Sequence, residues 1–362
     1  MRFVRKSGRC RVIKTRANSL LVGEMPRGCE LCIGGAKLVL FLTGVCAQDC
    51  YYCPISEKRR GLDVTHANER PVRSAKDIVR EAKLMDALGT GITGGDPSLR
   101  LRRTLRYIKM LKREFGKRHH IHMYCGGELS REQLYKLKQA GLDEIRFHTW
   151  SVRPVERALP AGLCTGVEVP AIPDEYMRII SFFRKLDKVG CDFINLNELE
   201  FSDTNLSQLK ARGFDIRSDE SMAVRGSEET AVRALKWAAR NTTLNIHYCP
   251  SALKDAVQLR NRLRRKSRNV AKLHEVITED GLLVKGIIQG LSLDRLPIVR
   301  RVLMHKYRVP AELIVIDRQK SRIELYWRVA EKLAKFEPEL KFALVEEYPT
   351  YDRLETTLIP LS

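Results

Sequence analysis

The sequence lacks any apolar run approaching the ~18 residues of a membrane-spanning helix, and no membrane segment is expected. Aromatic residues make up only 7% of the 362 positions and form no evident platform for stacking bases. With 23 Gly and 14 Pro the chain is too poor in both to be collagenous or of low complexity. Acidic residues are missing from Met1–Arg16, which holds seven basic ones. No apolar core follows that stretch, so a secretory leader is not expected either. What is present is the make-up of a folded protein, 44% hydrophobic and 30% charged, with a formal net charge of +21. Ten cysteines without a leader point away from a secreted disulfide scaffold and toward metal or redox chemistry in a reducing cytoplasm.

The positive charge peaks again at Arg260–Arg268, with six basic residues in nine. Ala252, Ala256, Leu259 and Leu263 follow helical spacing there, while Arg260, Arg264 and Arg268 recur every fourth residue. The pattern predicts a helix with one buried stripe and one basic face. That face is either simply solvated or a phosphate-binding surface, for RNA or a phosphorylated substrate.

From Lys37 onward, short β-branched or apolar runs alternate with amphipathic stretches. Strands are predicted at Leu38–Thr43, Thr90–Thr93, His120–Cys125, Glu144–His148, Val167–Ile172 and Phe193–Leu196, with a seventh at Leu244–Tyr248. Helices are predicted at Ala75–Leu88, capped by Ser74 and Gly89, and at Arg102–Phe115, Arg131–Ala140, Asp174–Val189 and Glu228–Ala239. Such alternation implies parallel strands with right-handed crossovers, an α/β fold built as a barrel of about six units with its chemistry at the C-terminal strand ends. After Pro250 the pattern changes. Asp280-Gly281 marks a hairpin within His274–Ile288, and Leu313–Ile316, Arg322–Ala334 and Phe342–Val345 read as strand, helix and strand. The organisation expected is an N-terminal extension (1–36), a core barrel (37–251) and a C-terminal α+β region (252–362).

Directly after the first barrel strand the chain reads Cys46-Ala-Gln-Asp-Cys50-Tyr-Tyr-Cys53-Pro. Three thiolates on one tight polar loop can hold three corners of an iron–sulfur cubane. Zinc is the competing metal, although zinc sites usually complete four ligands with a second paired element. Three protein ligands would leave one iron open to an external group. The second strand ends in Gly91-Ile-Thr93-Gly94-Gly95-Asp96-Pro97, where glycines permit close backbone approach and a carboxylate can accept from an ammonium group.

Together these two motifs resemble those of the radical S-adenosylmethionine superfamily: C-x3-C-x2-C with Tyr52 before the last cysteine, then a Gly-Gly-Asp turn where Gly-Gly-Glu is usual. The resemblance implies a partial (β/α)6 TIM-like barrel, a 4Fe–4S cluster on Cys46, Cys50 and Cys53, and S-adenosylmethionine chelated at the open iron. It further implies reductive cleavage to a 5′-deoxyadenosyl radical that abstracts hydrogen from a substrate, with an electron donor such as a ferredoxin. Cofactor contacts are then expected from Gly94, Gly95, Asp96 and Tyr52, with Arg146, His148, Glu168 and Asn195 at later strand ends; Asn197, Glu198 and Glu200 share those ends. Cys29-Glu-Leu-Cys32 leading into Gly34-Gly35-Ala36-Lys37 gives a narrower likeness to archaeal proteins related to the pyruvate formate-lyase activating enzyme.

Cys29 and Cys32, with Cys249 after the seventh strand, are either ordinary thiols or a second metal site, whereas Cys10, Cys125, Cys164 and Cys191 are expected to pack, with a pocket-facing position as the alternative for Cys125 at the third strand end. The rival function is a zinc-bearing nucleic-acid-binding module without catalysis. The substrate, whether metabolite, protein or RNA, is not specified by any motif.

Overall fold

The computed structural model describes residues 11–219 and 221–361. Cys10 and most of the basic N-terminal run lie outside the described residues. The chain divides into two compact units, Met1–Lys83 with Ala87–Leu259, and Leu84–Asp86 with Arg260–Ser362.

The first unit opens with a hairpin, β1 (Val12–Lys14) and β2 (Leu20–Val22), and a short helix α1 (Arg27–Ile33). The barrel follows: β3 (Lys37–Thr43), the small β4 (His66–Ala67) and β5 (Arg70–Pro71), α2 (Ala75–Leu84), β6 (Gly89–Gly94), α3 (Leu101–Phe115), β7 (His120–Cys125), α4 (Arg131–Ala140) and β8 (Glu144–Phe147). Then come α5 (Arg153–Ala158), β9 (Cys164–Ala171), α6 (Tyr176–Val189), β10 (Phe193–Glu198), α7 (Leu206–Lys210), the hairpin β11 (Ile216–Ser218) and β12 (Ser221–Val224), α8 (Ser227–Asn241), β13 (Asn245–Cys249) and α9 (Ser251–Leu253).

Strands β3, β6, β7, β8, β9, β10 and β13 are hydrogen-bonded in that order, all parallel. The sheet does not close. The free edge of β3 takes β4 and that of β13 takes β2, both antiparallel. The expected partial barrel is present, with the seventh strand as its last parallel member.

Period-2 alternation decides what the barrel encloses. One set of side chains is apolar, fully buried and turned away from the cavity, as with Ile92, Ile145, Val167, Ile194 and Ile246. The other set points inward and is polar: Lys37, Thr93, His122, Tyr124, Arg146, His148, Glu168, Asn195, Asn197 and His247 all line one cavity.

Two expectations are corrected here. The N-terminal segment does not stand in front of the barrel. β2 pairs with β13, and Gly28 of α1 lies so close to the barrel interior that a Cβ there would sit 2.5–2.7 Å from Arg146, Glu144 and His122. Helix α2 stops at Leu84, with Asp86 in the left-handed region (φ 47°), while Gly89 begins β6. At its start the Asp77 carboxylate accepts from the Ser74 amide at 2.8 Å, so Asp77 provides the cap that Ser74 was expected to give. The helix α4 behaves as its sequence dictates, with a Ser130/Gln133 capping box and Gly141 as left-handed C-cap.

The second unit begins with α10 (Arg260–Val270), followed by β14 (Val276–Ile277), β15 (Leu283–Gln289), α11 (Arg295–Lys306), β16 (Ile314–Asp317), β17 (Arg322–Leu325), α12 (Trp327–Ala334), β18 (Lys341–Glu347) and β19 (Glu355–Pro360). Its strands form an antiparallel sheet ordered β16-β17-β15-β18-β19, with β14 on β15. Arg260, Arg264 and Arg268 are exposed and Leu263 is buried, as the spacing requires. Ala252 and Ala256, expected on the same buried stripe, are instead exposed, and Leu259 is half-buried. The stretch Lys254–Leu259 is wound as a π-helix, and Leu253 and Val257 are buried in their place. The stretch Arg322–Ala334 is not one helix. Its first four residues form β17, because Arg322 and Glu324 alternate with Ile323 and Leu325 and find buried charged partners. Lys285, itself buried, contacts Glu275, Glu324 and Glu347 at 2.7–3.1 Å, and Arg322 pairs with Glu324 and Glu347.

Candidate active site

The C-x3-C-x2-C loop leaves the end of β3 and is tied down at its base by the Gly-Gly-Asp turn. The Gly95 amide donates to the Thr43 carbonyl at 2.7 Å and the Asp96 amide to the Val45 carbonyl at 2.8 Å. A side chain at Gly95 would place its Cβ 2.4 Å from the Val45 oxygen, and Gly94 holds φ 134° with the Thr43 oxygen equally close. The two sequence motifs are therefore one backbone assembly, and both glycines are needed for close approach. Further along, the Cys53 amide bonds to the Cys50 carbonyl, Gln48 donates to Gly126 O at 2.8 Å, and Asn205 donates to Tyr52 O at 3.1 Å. Cys46, Cys50 and Cys53 are free thiols that face the cavity, Cys46 exposed and the other two half-buried.

The cavity has a volume of about 740 Å³, within the usual range for a ligand site. Beneath the loop lies a buried polar network. The Arg146 guanidinium bonds to Glu144 at 2.6 Å, Glu168 at 2.9 Å and the Cys29 sulfur at 3.3 Å. Glu168 accepts from Asn197 at 2.9 Å, and Asn195 donates to Asn197 at 2.9 Å. His247 bridges Asn195 and Ser19, at 2.8 and 2.9 Å. The Glu168 carboxyl is kept ionised: burial alone would raise its pKa, but Arg146 and Asn197 together bring it below the usual range. Lys37, whose ammonium donates to Thr90 O and His120 O, has its pKa pushed down by burial to about 8.

Among the described residues, His274, Glu275 and Glu324 of the second unit are the sole trio of histidine, cysteine or carboxylate ligand atoms within 4.8 Å of one another. No three cysteines meet that spacing. A single zinc with Zn–S of about 2.3 Å would draw its sulfurs to within about 4 Å of one another. A cubane binds each thiolate on a different iron and spreads them more widely, which suits the Cys46–Cys53 loop.

The chain is 41% identical over 359 residues to a Methanocaldococcus jannaschii protein named "Putative glycyl-radical enzyme activating enzyme", with 93% of each chain covered. Residues 40–160 match the model of the Radical SAM superfamily. The chain belongs to the radical SAM superfamily. It is a radical SAM enzyme, and the rival reading as a non-catalytic zinc module is set aside. Residues 281–361 match a domain of unknown function (DUF8061). Biotin synthase of Wolinella succinogenes is 30% identical over 146 residues, 34% of this chain and 51% of that protein. Among solved structures, methylornithine synthase aligns over 60% of this chain and 71% of its own, with a TM-score of 0.41 at 14% identity. The alignment with the M. jannaschii relative covers 93% of this chain, so it extends well beyond the segment matched by the Radical SAM model.

Radical SAM enzymes in general use a 4Fe–4S cluster and S-adenosylmethionine, and the free thiol loop beside an ample cavity fits that pair. Of the residues expected to serve them, Gly94, Gly95, Tyr52, His148, Arg146, Glu168 and Asn195 line the cavity together with the three loop cysteines. Asp96 does not. It is 1% exposed and its carboxylate caps the turn Pro97–Arg100 by accepting from the Ser98 amide at 2.9 Å. Arg146 lies within the buried network with both carboxylate partners engaged. Tyr52 and His148 are joined at 3.2 Å, and burial lowers the His148 pKa. Cys29, Cys32, Cys249 and Cys125 also reach the cavity, whereas Cys164 and Cys191 do not. Sequence reasoning missed Lys37, His122, Tyr124, Lys254 and Gln258 on the cavity wall. The signal for His122 and Tyr124 was present as the alternation His120-Ile-His-Met-Tyr on β7.

The barrel floor makes the fold acid-sensitive. His119 is 3% exposed and bonded to Thr90 at 2.8 Å; burial, then the nearby Lys37 and Lys112 charges, lowers its pKa to about 4. The unfolded chain takes up a proton here near pH 6.5, and the folded one only near 4. The contribution to stability is therefore complete above pH 6.5 and is lost as pH falls toward 4, by about 2–3 kcal/mol at pH 4.5. Urea unfolding at pH 7 and 4.5 should show a smaller pH-dependent loss for His119→Gln than for wild type. Equal losses would mean that His119 is not buried neutral.

Proposed function

We propose that Cys46, Cys50 and Cys53 hold the 4Fe–4S cluster and that Gly94, Gly95, Tyr52 and His148 line the seat of S-adenosylmethionine, in an enzyme that acts on a protein substrate. The observation that carries this reading is the joining of the cysteine loop to the Gly-Gly turn on the wall of one cavity. When bound, the pair supplies one-electron cleavage of the sulfonium and a 5′-deoxyadenosyl radical able to abstract hydrogen.

The chain's own residues prepare the place for that chemistry. Gly94 and Gly95 keep the rim free of side chains where the cofactor's amino end would approach, and Asp96 positions them by capping the following turn. The Tyr52–His148 hydrogen bond fixes the aromatic wall beside Cys50 and Cys53. Arg146, Glu168, Asn195 and Asn197 close the floor with mutually hydrogen-bonded polar groups, which hold its shape. The protein substrate is inferred from the name of the M. jannaschii relative; a peptide segment would enter the same cavity. A reductant such as a ferredoxin is required, and a reducing cytoplasm suits the free thiols. The exposed Arg260, Arg264 and Arg268 remain available to a phosphate-bearing partner, RNA included.

The test is anaerobic incubation of iron- and sulfide-reconstituted protein with dithionite and S-adenosylmethionine. Formation of 5′-deoxyadenosine and methionine in equal amounts is expected. A brown, cluster-bearing protein that forms neither would exclude the reading.

A further inference from the structure

Three cysteines outside the loop meet on the wall of the same cavity, brought there by two distant segments. Cys29 and Cys32 sit three residues apart on α1, hence on one face. Cys249 closes β13. Cys29 and Cys249 are 3% and 5% exposed, and Cys32 is close enough to both for the charges to interact. All three are free thiols.

Their surroundings are unlike those of a packing cysteine. Burial pushes all three thiols up, and against it each has one cation as the strongest charge favouring its ionised form: buried Arg146 for Cys29, buried Lys37 for Cys32 and half-buried Lys254 for Cys249. Arg146 donates to the Cys29 sulfur at 3.3 Å and Gln258 to the Cys249 sulfur at 3.7 Å. Lys254 and Gln258 come from Lys254–Leu259, a stretch wound as a π-helix. That winding is rare and is found mostly at functional sites. A structural cysteine needs none of these neighbours, since a buried thiol behaves as a small hydrophobe. Cys191, also buried, has a thiol that donates to the backbone carbonyls of Thr165 and Phe193, at 3.5 and 3.2 Å.

We propose that Cys29, Cys32 and Cys249 bind a second iron–sulfur cluster, distinct from that of the Cys46–Cys53 loop. The sulfurs are too far apart for a single ion, by the same 4.8 Å criterion, but cysteines on a cubane need not converge. Assembly displaces the three thiol protons, and the three cations offset the thiolate charge that results. With three protein ligands, one iron is left for a ligand within the cavity. The assignment does not depend on the reading of the loop.

The experiment is anaerobic reconstitution of the full chain with ferrous iron and sulfide, followed by iron and acid-labile sulfide analysis. Wild type is expected to hold about eight irons per chain, two cubanes. The variant Cys46→Ala/Cys50→Ala/Cys53→Ala should keep half of that iron and sulfide, and so should Cys29→Ser/Cys32→Ser/Cys249→Ser. The six-fold variant should keep none, and Cys191→Ser should match wild type. A loop variant without iron, from a wild type holding about four, overturns the second cluster and leaves the proposed function standing. A loop variant equal to wild type overturns the loop assignment instead. One bound zinc without sulfide in the loop variant also overturns the second cluster. Since the loop variant leaves the floor cysteines untouched, its iron content decides even if the floor variant fails to fold.

Discussion

Cys46→Ala, Cys50→Ala and Cys53→Ala are each expected to reduce 5′-deoxyadenosine formation by at least about a thousandfold, since loss of even an outer-shell partner of a metal typically costs 10- to 100-fold. The fold should hardly notice. Cys46 is exposed and Cys50 and Cys53 are half-buried, so little apolar contact is lost with any of the three sulfurs. The loop is held instead by its backbone, through Gly95 and Asp96 at the base and Asn205 on Tyr52 O. Melting temperatures should therefore stay close to wild type while activity disappears, a separation that a structural role could not produce. Cys125→Ser is the matched control. Cys125 also lines the cavity, but its thiol donates to Gly127 O at 3.3 Å, a bond that a serine hydroxyl can make. Activity retained in any one of the three loop variants would remove that cysteine from the ligand set.

The barrel was legible because its signal is local and periodic. The strand candidates near Leu38, Thr90, His120, Glu144, Val167 and Phe193 each overlap an observed parallel strand, two of them (Glu144–His148 and Val167–Ile172) running one residue past its end, and the cysteine loop follows the first of them. The role of α1 was not legible. Seven residues carry too little periodicity to reveal a buried face, and the contacts of Gly28 come from β7 and β8, more than ninety residues away. The same holds for β17: Arg322 and Glu324 read as solvated until Lys285 and Glu347 are seen opposite them. Asp96 shows the converse failure. Its motif was read as a ligand contact, whereas the next residue, Pro97, starts a turn whose free amide at Ser98 takes the carboxylate as its cap. Sequence spacing reports which residue types are adjacent along the chain. Which charge is already neutralised depends on strands that meet only in the folded barrel.

Arg146 is the place where that distinction has the largest consequence for stability. Its position at the fourth strand suggested a group for the cofactor's carboxylate, but its guanidinium is 1% exposed and held by Glu144 and Glu168, themselves 1% and 8% exposed. Replacing it by methionine keeps part of the apolar stem, removes the guanidinium carbon that lies over the Tyr124 and Phe193 rings, and strands two buried carboxylates. Breaking a buried ion pair by removing one partner typically costs about 3–5 kcal/mol, because the other charge is left uncompensated. For the first unit this corresponds to a fall in melting temperature of roughly 10 °C. Without Arg146, burial is left as the main influence on the Glu168 carboxyl, so its folded-state pKa should rise above the unfolded one. A group raised in this way favours the folded state at low pH and loses that advantage as pH increases. The stability gap between wild type and Arg146→Met should accordingly narrow as pH is lowered from 7.5 to 5.5. The acid sensitivity due to His119 is common to both proteins. That of His120, His122 and His247, whose pKa values burial and then charges including Arg146 hold down, eases in the variant and narrows the gap in the same direction. Arg146→Met combined with Glu144→Gln and Glu168→Gln removes the charges together, and should recover much of the lost stability and remove the carboxylate part of that pH dependence. A gap that stays constant with pH would show that Glu144 and Glu168 are solvated in the variant, and that Arg146 is free to serve a ligand rather than the floor of the barrel.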